Sequence, residues 1–198
     1  MTGYKQLKDL TNRVVLITGA SSGLGEQVAY QVAKQGAIVV GCARRKDKLE
    51  KVMAVCRAIS GRLAYAYQLD VSHPHQIEKV IDEVEANVGP IDVLINDAGF
   101  GFMRQALDFR MDIAERMFRV NVLGLMYVTK YTALYMAKRK RGMIINVASI
   151  GGKIATPKSS IYSATKAAVI AYSNALRLEL KPLGIAVLTV NPGPIRTA

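Results

Sequence analysis

The stretch Val14-Val-Leu-Ile-Thr-Gly-Ala-Ser-Ser-Gly-Leu-Gly25 runs from a short strand pattern through a glycine turn into a helix pattern. Its glycines, Gly19, Gly23 and Gly25, follow the spacing G-x-x-x-G-x-G. Glycine permits a tight turn and lets a pyrophosphate come close to the backbone. The first turn of the following helix offers free N–H groups and the positive end of its dipole to an anion. Glycine turns also arise for structural reasons alone; placement directly after a first strand is what strengthens the reading of a phosphate site.

Outward from this turn the chain alternates strand and helix. A helix to about Gln35 is ended by Gly36, and Ala37–Cys42 reads as the second strand. Helical periodicity over Arg45–Ile59 precedes a strand at Leu63–Gln68, and Ser72 is placed to cap a helix reaching about Val88. Gly89-Pro90 breaks it before a strand at Ile91–Asn96. Two helical patterns fill about Asp112–Arg141, followed by strands at Met143–Ala148 and Ile185–Val190 around a helix that ends near Leu183-Gly184. Uninterrupted β-α repetition predicts a doubly wound parallel sheet of Rossmann type, in three layers with helices on both faces. The strands are solid apolar runs, as burial of both sheet faces requires. The chain of 198 residues fits one domain, with no linker or internal repeat.

With 51% hydrophobic and 21% charged residues, the composition is that of a folded globular chain. No window supplies ~20 uninterrupted apolar residues, the length that spans a bilayer; the most apolar helix candidate, Leu123–Ala137, is broken by Lys130. The amino terminus lacks the apolar core of a secretory signal. Cys42 and Cys56 read as buried reduced thiols, which suits the cytoplasm. His73 and His75 flank Pro74 without further ligands in a metal-binding array, so no metal is expected. A net charge of +12 invites a nucleic-acid reading. The densest run, Lys138-Arg-Lys-Arg141, is followed by Gly142. It reads better as the cationic last turn of a helix with a glycine cap. No nucleic-acid motif accompanies it, and no nucleic-acid or membrane partner is expected.

The second strand closes on Arg44 and Arg45, where an NAD site usually carries an acid for the ribose 2′-hydroxyl. Arginines there can instead pair with a 2′-phosphate through charge-assisted bonds, with Ser21 adding a hydroxyl. The reading is therefore NADP(H) over NAD(H), against the alternative that the arginines merely face solvent. Asp70 and Val71 end the third strand. Asp70 is placed to accept a hydrogen bond from adenine or from a nearby backbone N–H; a turn or cap aspartate is nearly as good an account. Tyr162 and Lys166 stand four residues apart, on one face of a helix. An ammonium beside a phenol favours the phenolate and suits the phenol for proton exchange. In isolation such a pair is usually a helix-surface pair.

Taken together, these motifs resemble the short-chain dehydrogenase/reductase family. Thr18-Gly-Ala-Ser-Ser-Gly-Leu-Gly25 looks like its cofactor fingerprint, and Asn96-Asp-Ala-Gly99 like its N-N-A-G motif, with Asp97 as a departure. Asn121-Val-Leu-Gly124, Ile144-Ile-Asn-Val-Ala-Ser149, Tyr162-Ser-Ala-Thr-Lys166 and Asn191-Pro-Gly-Pro-Ile-Arg-Thr197 match further motifs in order. The resemblance covers nearly the whole chain.

The resemblance implies a carbonyl/alcohol oxidoreductase with Tyr162 as general acid or base. It implies that Ser149 hydrogen-bonds the substrate oxygen, that Lys166 tunes Tyr162 and holds the ribose, and that Asn121 fixes a relay water. It further implies cofactor contacts at Gly19, Ser21, Ser22, Gly23, Leu24, Gly25, Asn96, Ala98 and Gly99. Pro192, Gly193, Ile195 and Thr197 would line the nicotinamide end. It also implies a further strand and a substrate segment beyond Ala198, so the domain is expected to be incomplete. The resemblance implies subunit pairing through the helices at about 113–139 and 161–182, whose apolar circumference fits it, as a homodimer or homotetramer. The alternative is a cofactor-binding regulator or scaffold that keeps the fold without turnover.

Overall fold

The computed structural model describes residues 9–194. Six parallel strands form one sheet: β1 (Val14–Thr18), β2 (Ile38–Ala43), β3 (Ala64–Gln68), β4 (Ile91–Asn96), β5 (Gly142–Val147) and β6 (Ile185–Val190). Their order is β3-β2-β1-β4-β5-β6. The helices are α1 (Gly23–Lys34), α2 (Lys46–Ser60), α3 (Pro74–Asn87), α4 (Met111–Phe118), α5 (Leu125–Arg139) and α6 (Ser160–Leu180).

Alternate residues of each central strand feed opposite cores, because side chains switch faces along a strand. Val14 and Leu16 join Leu94, Ile144 and Val187 under α3, α5 and α6. Val15 and Ile17 join Val39, Val93 and Ile95 under α1 and α2. Both faces are thus filled, which explains why β1 and β4 carry no exposed position. The chain leaves β1 toward β2 on one side and lies against β4 on the other. Such an order opens a crevice beyond the carboxyl ends of β1 and β4, where ligands of doubly wound sheets sit.

At the opposite end of the sheet, Asp92 is a buried staple. It accepts from the Val14 backbone N–H at 3.2 Å and from Arg13 and Arg141 at 3.4 and 3.1 Å. Arg139 pairs with Glu85 at 2.6 Å, and the Lys138 ammonium lies 5.3 Å from the Tyr135 ring centre. Three members of the densest basic run are therefore engaged locally rather than collected into an open patch.

Several boundaries differ from the sequence reading: β2 and β5 are each offset by one residue, and two helix ends are built differently. Lys140, not Gly142, takes the left-handed conformation after α5, at φ 51°. Gly142 lies inside β5, where its bare Cα meets the Met136 side chain; its requirement is space, not a positive φ. His73, not Ser72, precedes α3, because Pro74 takes the first helical position, where its missing N–H costs nothing. Ser72 instead donates its hydroxyl to Asp70 Oδ1 at 2.7 Å. Between α4 and α5, Arg119–Gly124 forms a π-helical turn, so the two helices run on without a loop.

Candidate active site

The carboxyl ends of β1, β2, β4 and β5 border a cleft of about 800 Å³. Its floor is the glycine turn. Gly19 has φ +77°, and a Cβ there would stand 2.9 Å from the Ala98 backbone. Gly25 is equally constrained: its Cβ would lie 2.6 Å from the Gly19 carbonyl oxygen. These two glycines let the turn fold onto itself and onto the end of β4. Ser22 precedes α1 without placing its side chain on the helix's free N–H groups. Gly23 and Leu24, which open this twelve-residue helix, therefore border the cleft without a side-chain cap, as an anionic pyrophosphate requires, while the Gly25 N–H is taken by Asp97.

One end of the cleft is cationic and rich in hydroxyls. Arg45 Nη2 donates to Ser22 Oγ at 2.7 Å and to Ser21 Oγ at 3.3 Å. Arg44 lines the same end beside Asp70. Burial opposes the charge on Asp70, but the Ser72 N–H and hydroxyl, and then Arg44, outweigh it and hold the carboxyl below its ordinary range. The hydrogen bonds to Ser72 make Asp70 a turn aspartate that also borders the cleft. Val71 lines the cleft next to it.

Ser149, Tyr162 and Lys166 meet at the other end. Ser149 leaves β5 and its Oγ accepts the Gly151 N–H at 3.1 Å, which fixes the hydroxyl toward the cleft. A Cβ on Gly151 would be 3.4 Å from Ser149 Oγ and 3.5 Å from Tyr162 Cε1, so the two groups share one small space. Gly101 covers the other edge of the ring, its Cβ position 3.2 Å from Tyr162 Cδ2. Gly152 lets this loop touch α6, since a Cβ there would stand 2.7 Å from the Lys166 carbonyl carbon. Lys166 is 7% exposed; its ammonium donates to the Val147 carbonyl at 3.0 Å and lies 5.9 Å from the Tyr162 ring centre. Burial holds its pKa below the usual lysine range, with Asp97 pulling the other way.

Asn121 does not line the cleft. The π-helical turn carries it inward, where its Oδ1 accepts the Phe100 N–H at 3.0 Å. Its Nδ2 donates to the Phe100 carbonyl at 2.8 Å and to Thr165 Oγ1 at 3.2 Å. Its side chain clamps the loop after β4 to α6. Asn96 is a plain correction. Its Nδ2 donates to Thr129 and Asn146, both at 2.9 Å, so it ties β4 to β5 and α5 inside the core and does not touch the cleft. Gly25 is likewise a packing residue beneath the floor. Ser21, Ser22, Gly23, Leu24, Ala98, Gly99, Pro192 and Gly193 do line the cleft, while Ile195 and Thr197 lie outside the described residues. Residues the sequence did not single out for the cleft include Asp97, Gly101, Gly151, Ile154 and Thr156.

Among the described residues, no cluster of His, Cys, Asp or Glu is suited to a metal, and no helix is long and apolar enough to cross a membrane. Cys42 and Cys56 are free and buried.

A doubly wound sheet, a glycine turn at its crevice and a Ser–Tyr–Lys group define a dinucleotide-dependent dehydrogenase architecture. The chain belongs to the short chain dehydrogenase family, whose model matches residues 13–198. It is 35% identical over 189 residues to an uncharacterized oxidoreductase of Staphylococcus aureus strain MRSA252, spanning 96% of this chain and 80% of that one. Among solved structures it resembles NAD+-bound xylitol dehydrogenase, with a TM-score of 0.91 and 31% identity over 94% of this chain and 72% of that chain. It also resembles a variant of actinorhodin polyketide ketoreductase with NADPH, with a TM-score of 0.90 and 34% identity over the same shares. The protein is thus an oxidoreductase by family.

Proposed function

We propose that the protein is an NADPH-dependent oxidoreductase that interconverts carbonyl compounds and secondary alcohols. The observation that carries this is the polarity of the cleft: Arg45 bridges two serine hydroxyls at one end, and Ser149, Tyr162 and Lys166 share the other. The arginine end suits a 2′-phosphate, and no carboxylate belongs to the close of β2 to hold a 2′-hydroxyl instead. The uncapped start of α1 suits the pyrophosphate between them.

The nicotinamide supplies the hydride when the cofactor is bound. The chain's own part is to hold the carbonyl and deliver a proton. Ser149 Oγ and the Tyr162 hydroxyl are the donors for the carbonyl oxygen, and their charge-directed bonds strengthen as that oxygen turns into an alkoxide. Tyr162 then gives up its proton to the oxygen and takes it back in the reverse reaction. The Lys166 ammonium, tethered to the Val147 carbonyl, stabilises the negative charge left on the phenol oxygen and is placed to hold ribose hydroxyls. Asn121 keeps the Phe100 loop and α6 in register.

The direct test measures kcat/KM with NADPH and with NADH across a panel of ketones. Turnover that prefers NADPH is expected; preference for NADH overturns the cofactor assignment, and tight NADPH binding without turnover on any ketone favours the regulator or scaffold reading.

The chain is also proposed to self-assemble through the helices before β5 and β6. Leu123, Tyr127 and Leu134 stand exposed at 46, 37 and 53% along the π-helical turn and α5, and Leu178 at 73% on α6. Light scattering is expected to give a mass at least twice the monomer's, and a monomer at micromolar concentration would refute this.

A further inference from the structure

Asp97 is the place where the strand-four motif departs from its usual asparagine. It directly follows β4 and lines the cleft, and its loop is pinned by the Asp97 and Ala98 N–H groups donating to Thr18 Oγ1 at 3.2 and 3.1 Å. Asp97 Oδ2 lies 2.9 Å from the position a Cβ on Gly25 would take, so the carboxylate is pressed against the first turn of α1. That turn opens with Gly23 and Leu24, which line the cleft without a side-chain cap. Of the groups packed around Asp97, the Lys166 ammonium from α6 and the Gly25 N–H from α1 favour its charge. Neither Lys166 nor any other cation among the described residues makes an ion pair with it. Asp70 and Tyr162 border the same cleft from the ends of β3 and α6, with Arg44 and Arg45 at its far end.

We propose that Asp97 couples cofactor binding to pH: a pyrophosphate entering above the glycine turn favours the protonated form of the Asp97 carboxylate, so that binding draws protons from solvent. The inference rests on the dinucleotide reading of the cleft. Its physical basis is that two anions held close together, one of them largely buried, repel, and the weaker acid is neutralised. Asp97 starts close to this point, because burial pushes its carboxyl up to about 6 against the pull of Lys166 and the Gly25 N–H. A bound anion raises it further. By linkage, affinity is constant below the pKa of the free protein, falls with rising pH up to the pKa of the complex, and is constant again above it. Each unit of additional rise is worth about tenfold in affinity.

The test is titration calorimetry of the whole chain with NADP+ at pH values from 5.5 to 8.5, for wild type and Asp97→Asn. The 2′-phosphate of the ligand also titrates near pH ~6, but it contributes equally to both proteins and cancels in their ratio. The wild type is expected to lose about tenfold in affinity relative to the variant across this range, for a pKa rise of about one unit. At pH 7, repetition in buffers of different ionisation heat is expected to show greater proton uptake by the wild type than by the variant. Should Asp97→Asn fail to fold, proton uptake by the wild type at pH 7.5, where the 2′-phosphate is already dianionic, decides the matter; zero uptake or release there overturns the proposal. Parallel pH profiles for the two proteins overturn it while leaving the cofactor reading intact. No binding of NADP+ at any pH overturns both.

Discussion

Replacing Tyr162 by Phe is expected to lower kcat by at least about 100-fold while NADPH still binds. The phenol and phenylalanine rings have the same shape, and the slot between Gly101 and Gly151 receives either. What is lost is the hydroxyl of a ring whose Cε1 shares the space beside Gly151 with Ser149 Oγ. Positioned acid–base groups contribute roughly 10²–10⁴ in rate, or about 3–5 kcal/mol of barrier at 1.36 kcal/mol per tenfold. Loss of one neutral hydrogen bond to the cofactor is worth about 1 kcal/mol, or about fivefold in Kd. The two effects are therefore separable by comparing turnover with fluorescence titration of NADPH. Turnover within about tenfold of wild type would remove Tyr162 from the role of proton donor and leave the hydroxyl of Ser149 as the remaining donor to examine. A collapse of NADPH affinity would instead show that Tyr162 holds the cofactor, and that its position between the glycines is a binding feature.

The fold was legible because its signals repeat. β1, β4 and β6 begin and end where their apolar runs do. Residues that share one letter but answer to different demands were less legible. Gly142 follows a basic helix end in the sequence, which is the setting of a glycine cap, yet the left-handed residue is Lys140 and Gly142 makes room for Met136. Nothing in the one-letter pattern separates a glycine needed for its φ from one needed for its missing Cβ. Gly124 repeats the lesson: a Cβ there would stand 2.6 Å from the Val71 carbonyl, a contact that arises only once the sheet is assembled.

The polar residues of the site divide in the same way. Ser149, Tyr162 and Lys166 were placed by motif, and the structure brings them to one end of the cleft. Asn96 and Asn121 carry equally good motif credentials but spend their side chains on the interior. Asn96 bonds to Asn146, and Asn146 in turn donates to Ser173 at 3.0 Å, a chain of amides and hydroxyls across β4, β5 and α6. A buried amide must find partners, and which partners it finds depends on strand register that no local spacing encodes. The π-helical turn at Arg119–Gly124 was invisible for a related reason. Its cost as a helix irregularity is met by the Asn121 bonds to Phe100 and Thr165, and both lie far away in sequence.

Removing the Arg45 guanidinium tests the other end of the cleft. Arg45→Ala is expected to lower kcat/KM with NADPH by about 10–100-fold and to leave the value with NADH within about threefold, because a charge-assisted contact is worth roughly 1.5–3 kcal/mol. The structure gives a reason to single out Arg45 over Arg44. Its Nη2 already rests on the Ser21 and Ser22 hydroxyls, so the fork is held over the glycine turn before any phosphate arrives. Pre-placement reduces the side-chain entropy lost on binding, which is where an exposed arginine usually forfeits its contribution. General attraction between a basic protein and an anionic cofactor predicts something different. It assigns comparable losses to every nearby cation, whereas a fitted contact belongs to one. Lys46→Ala supplies the comparison: it removes the same charge one residue further along, from a side chain that does not line the cleft. A loss confined to Arg45→Ala and to NADPH locates the 2′-phosphate at the serine–arginine cluster. Equal losses in the two variants, or equal losses with both cofactors, would mean that the cluster recognises no phosphate and that cofactor preference is set elsewhere in the cleft.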